Sequence, residues 1–93
     1  MPALPILWRP EALADLSTIL EYIAKHNPQA AANLYGDIDL LVSQLPYHPY
    51  LYRLGRIAGT RELVVHPNYV IVYSVTTVAI EIVTIMHTRQ RYP

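Results

Sequence analysis

Arg61, His87, Arg89, Arg91 and Tyr92 are the residues of this 93-residue chain whose types could combine to do chemistry. A histidine, with an unperturbed pKa near ~6.5, can serve as general base or general acid, and arginines can clamp an anion. Cleavage of RNA by its own 2′-hydroxyl asks for those groups: a base, an acid, and cations for the charge that develops on phosphorus. Tyr92 would make a poor proton donor at its reference pKa near ~10 unless its surroundings perturb it. The plain alternative is a charged chain end. Arg61 opens one strand candidate and His87 closes another, so the set assembles only if the register brings those two ends together.

Other chemistries are absent from the sequence. There is no cysteine, which removes disulfides, thiolate zinc sites and thiol nucleophiles. There is no glycine-rich phosphate loop, no HExxH and no nucleophile elbow. His26, His48 and His66 are scattered, and His66 precedes Pro67 in a turn, so no metal site and no cofactor are expected. Tyr47, Tyr50, Tyr52, Arg53 and Arg56 interleave aromatic rings with cations. Such a run can stack on and neutralise single-stranded nucleic acid, or it can pack over the edge of a core.

The elements that must position these residues follow from periodicity. Pro5 to Arg9 reads as a short strand. Pro10 opens a helix with Leu13, Leu16, Leu20 and Ile23 on one face, ending near His26. Asn27-Pro28 is an N-cap followed by a proline at the first helical position. Ala31, Leu34, Tyr35, Ile38, Leu41, Val42 and Leu45 then mark a second stripe, which Pro46 stops. After a turn-rich connector come strands at Arg61–His66, Tyr69–Val75 and Val78–His87, whose short connections force antiparallel pairing. The expected fold is α+β in the order β-α-α-β-β-β, with a helical hairpin on one face of a small antiparallel sheet.

Length supports a single domain over residues 1–93, and 53% hydrophobic residues exclude a disordered tail. Residues 1–10 lack the basic start of a secretory signal, and the uncharged run 63–80 is interrupted by His66, Pro67 and Asn68. Neither a leader nor a membrane span is expected, and the cytoplasm is the expected compartment. Net charge is zero but divided: residues 1–47 hold two cations against five carboxylates, and residues 48–93 hold five arginines against two glutamates. The last two strands are apolar at both parities, so both sheet faces should be covered. Either a partner covers the second face or the connector at 47–60 folds over it.

The stretch GTRELVVHPNYVIVYSV, the ending IEIVTIMHTRQRYP and the opening strand leading into ALADLSTILEYIAKHNPQAA together resemble the RelE/ParE toxin superfamily. The resemblance spans nearly the whole chain and implies the toxin half of a type II toxin–antitoxin module, neutralised by a directly bound antitoxin. RelE-like members are ribosome-dependent endoribonucleases acting on messenger RNA. ParE-like members poison DNA gyrase and lack the ribonuclease residues. A RelE-like activity would fall to Arg61, His87, Arg89 and Tyr92; a ParE-like protein would have no catalytic residue. The neutral charge, the single lysine and the HTRQRYP ending resemble the ParE branch more closely. The charge partition makes Arg61, Arg89 and Arg91 the expected target contacts, and the apolar strands make Tyr69, Ile71, Tyr73, Ile80 and Ile82 the expected antitoxin surface. A degenerate member that only binds its antitoxin is the third possibility.

Overall fold

Asn27 both ends one helix and starts the next. Its backbone N–H donates to the Ile23 carbonyl at 2.8 Å, and its side-chain oxygen accepts from the Ala30 amide at 3.0 Å. The computed structural model, which describes residues 4–89, therefore has α1 (Pro10–His26) and α2 (Pro28–Gln44) as an antiparallel hairpin. A single 3-10 turn at Leu45–Tyr47 follows. The strands are β1 (Ile6–Trp8), β2 (Arg53–Leu54), β3 (Arg61–His66), β4 (Tyr69–Val75) and β5 (Ile80–His87).

They form one five-stranded sheet in the order β1-β5-β4-β3-β2. The sheet is mixed, not purely antiparallel as expected. β1 pairs parallel to β5, with Ile6 opposite Ile80 and Trp8 opposite Ile82. The reason is parity: six chain reversals separate β1 from β5, an even number, so both run the same way. β2 is a further strand hidden in the connector, and at two residues it is too short to show any alternation. β5 begins at Ile80, because Thr76 receives the amides of Val78 and Ala79 in a side-chain-closed turn.

The core lies between the hairpin and one sheet face. Ala12, Leu34, Ile38, Val42 and Leu45 meet Leu63, Val65, Ile71, Tyr73, Ile80, Ile82 and Ile85 there. Leu13 and Tyr35, expected inside, are half exposed. Four of the five residues expected to meet an antitoxin, Ile71, Tyr73, Ile80 and Ile82, are fully buried under the helices. They already serve the intramolecular core and are not available to a partner. On the opposite face Val70, Val72 and Met86 are buried too, with Val83 against them. Alternation could not say which parity met the helices, since both parities are apolar.

Candidate functional site

Register decides how the chemical residues are grouped. Arg61 pairs with Tyr73, and Tyr73 pairs with Ile82. His66 pairs with Tyr69, and Tyr69 pairs with His87. Arg61 and His87 thus lie at opposite ends of the sheet, four β4 residues apart, or about 13 Å along the strand at the usual rise. The constellation expected of a ribonuclease is not assembled from these two residues. Arg89 is exposed just beyond β5, and Arg91 and Tyr92 lie outside the described residues.

At the Arg61 end the side chains hold the connector. The Arg61 guanidinium donates through Nη1 to the carbonyls of Tyr50 and Tyr52, at 3.2 and 2.8 Å, and stacks over the Tyr50 ring at 5.1 Å. The Tyr73 hydroxyl donates to the Pro49 carbonyl at 2.9 Å. Burial pushes the Tyr73 hydroxyl up to about 12, partly offset by the Arg61 charge. Beside them Glu62, 3% exposed, faces Arg53 at 2.9 Å and Arg56 at 3.6 Å, and it also accepts the Arg56 amide. A buried carboxylate survives only when charge and hydrogen bonds replace its water, and two arginines and an amide do so here. Sequence reasoning missed Glu62; the signal was a lone carboxylate among apolar strand residues with three arginines within nine positions.

At the His87 end the rings of His66, Tyr69 and His87 stand in series, with centroids 5.7 and 5.6 Å apart. His87 Nδ1 accepts the Arg89 amide and His66 Nδ1 accepts the Asn68 amide. Those bonds assign the ring proton of each neutral histidine to Nε2. The open nitrogen is then a donor, whereas a general base needs an acceptor there. Tyr69 and His87 line a cavity of about 250 Å³ with Asp15, Thr18, Ile19 and Ile85. Asp15 is occupied: it accepts the Thr84 hydroxyl and the Ile85 amide, tying α1 to the part of β5 beyond the reach of β1. Among the described residues no group of three His, Asp or Glu side chains could hold a metal ion, and no helix is long and apolar enough to cross a membrane.

Comparison with known proteins places this architecture. The family described as the ParE toxin of the type II toxin-antitoxin system parDE matches residues 6–92. The chain belongs to the ParE toxin family. A relative from Sinorhizobium fredii, Y4kP, is 40% identical over 89 residues, covering 95% of this chain and 92% of that protein. Toxin RelE2 of Caulobacter vibrioides is 39% identical over 82 residues, covering 88% and 92%. Among solved structures, the chromosomal ParDE system of P. aeruginosa matches with a TM-score of 0.80 at 22% identity, over 91% of this chain and 96% of that one. The YoeB dimer of Staphylococcus aureus matches at 0.65 and 16% identity, over 98% and 100%. These two show the shared fold. Membership in the ParE family makes the chain the toxin of a type II module and implies an antitoxin partner.

Proposed function

We propose that this ParE-family toxin acts by binding DNA gyrase and not by cleaving RNA. One observation carries the reading: Arg61 and His87 sit at opposite ends of the sheet, and Arg61 is already spent on two connector carbonyls. A protein that works by docking needs surface and charge, and neither has to converge on a scissile phosphate. Arg89, exposed past β5, is one such charge, and Arg91 follows it in sequence.

The antitoxin is proposed to meet the helical hairpin, with Tyr69 the sole residue of the expected set that stays partly exposed. Between α1 and α2 an apolar groove of about 420 Å³ is lined by Leu20, Glu21, Ala24, Ala31, Ala32 and Tyr35. The relative designated toxin RelE2 favours the second reading, messenger RNA cleavage on the ribosome. Two assays separate them: supercoiling by purified gyrase, and cleavage of messenger RNA on translating ribosomes. Inhibition of the first without activity in the second supports gyrase. The reverse overturns it, and silence in both indicates a module that only binds antitoxin.

A further inference from the structure

The connector between the hairpin and β3 combines two properties that seldom coincide. Apart from the two residues of β2 it is irregular in backbone, yet it is bonded to the sheet along its length. Pro49 is held by Tyr73, and Tyr50 and Tyr52 by Arg61. Gly55 donates to Thr60 at 2.7 Å, so closely that a Cβ at position 55 would meet the Thr60 hydroxyl at 2.3 Å. The Arg56 amide is held by buried Glu62. On this fixed frame Tyr47, Tyr50, Leu51 and Leu54 point outward, 72%, 65%, 68% and 75% exposed.

Core formation does not explain that display. A loop that needed only to link α2 to β3 would carry polar side chains, and the frame would gain nothing from holding four large apolar groups in water. A rigid loop presenting tyrosine and arginine has the composition and the preorganisation of a protein-binding hot spot, and Leu51 and Leu54 add apolar contact area around them. Its charge is one-sided: residues 47–62 contain three arginines against one glutamate, net +2. The side chain of Arg53 stays 58% exposed and that of Arg56 46% while both guanidinium groups face Glu62.

We infer that the connector at residues 47–56 is the target-docking surface of this toxin, and that it fits an apolar protein patch rimmed by carboxylates. This rests on the reading of the chain as a toxin that acts by binding its target. Nucleic acid is the less suitable occupant. One face of the Tyr50 ring is already taken by Arg61, Tyr52 packs against the core, and leucines offer bases nothing to stack on. Arg61 acts here as a positioning residue that sets the loop. The hairpin, on the other side of the chain sequence, keeps the carboxylates.

The test is the double variant Leu51→Glu/Leu54→Glu, with Tyr47→Ala as a second variant and the exposed Leu40→Ser on α2 as control. Growth arrest on induction, gyrase supercoiling, antitoxin affinity and melting temperature are measured on each. The expected result is loss of growth arrest and a rise of about 30-fold or more in the concentration inhibiting gyrase. Melting and antitoxin affinity should stay at wild-type values, and Leu40→Ser should stay fully toxic. Wild-type toxicity in both loop variants overturns the inference, and so does parallel loss of antitoxin affinity or of folding in both. If a labelled twenty-residue oligothymidine binds the wild type and not the double variant, the surface is a nucleic-acid site and the inference fails. Growth arrest by the wild type without gyrase inhibition defeats only the gyrase reading, and its loss in the variants still supports the docking surface. A wild-type chain that neither arrests growth nor inhibits gyrase overturns both.

Discussion

The hydroxyl of Tyr73, in the middle of the sheet, donates to the carbonyl of Pro49 at 2.9 Å, tying the connector to the core across 24 positions of sequence. That bond, with those of Arg61, converts an irregular loop into a fixed feature of the sheet end. Tyr73→Phe should cost roughly 0.5–1.5 kcal/mol, the net worth of a hydrogen bond whose acceptor is left behind. Denaturant unfolding at neutral pH measures it.

The same residue predicts an alkaline signature. Tyr73 holds its proton to about 12 in the folded chain, while an unfolded tyrosine releases it near 10. Between those values the folded state binds the extra proton, so this contribution to stability is full below pH 10 and falls as the pH rises through the window. Tyr73→Phe cannot ionise. The wild type's advantage over it should therefore narrow above pH 10 and reverse on the way to pH 12, because a shift of that size outweighs the hydrogen bond, as read from unfolding curves of both proteins. A constant difference would contradict the assignment.

Glu62 is predicted to be the costliest single carboxylate in the chain to remove. Glu62→Ala leaves Arg53, Arg56 and the Arg56 amide without the buried acceptor they share. The two arginine side chains are about half exposed and can regain water, so a loss near ~2 kcal/mol is expected, below the full range for a dry ion pair. A double-mutant cycle with Arg53→Ala should return a coupling energy well above that of a surface pair.

Local rules predict two helix variants of opposite sign. Asn27→Ala removes the side-chain acceptor of the Ala30 amide and should destabilise by about 1 kcal/mol. Gly36 lies exposed in α2, and a Cβ there would meet nothing within 4 Å. Gly36→Ala should therefore stabilise by about 0.5–1 kcal/mol through helix propensity. Thermal melts of both variants check the pair.

The helices were legible because their signals are local: Asn27-Pro28 marks the junction, and Pro46 marks the end. The strands β3 and β4 were legible from runs of β-branched residues closed by Pro67-Asn68. What stayed hidden depends on the third dimension. Whether Arg61 meets His87 depends on register across three strands. The parallel pairing of β1 depends on the parity of all the reversals between it and β5. Ile71, Tyr73, Ile80 and Ile82 looked like a partner's surface because their strands are apolar on both faces, and only the helices choose between the two. The Glu62 cluster escaped because its arginines come from a connector with no periodicity.

Toxicity is proposed to require docking and no proton transfer. The most direct measurement is gyrase supercoiling inhibition by the wild type and by His87→Ala, alongside messenger RNA cleavage on translating ribosomes. Inhibition by both proteins at concentrations within about 2-fold is expected, with cleavage by neither. Losing a general acid or base commonly costs about 10²-fold or more. Wild-type cleavage of ribosome-bound messenger RNA, lost on that scale in His87→Ala with folding intact, would contradict it.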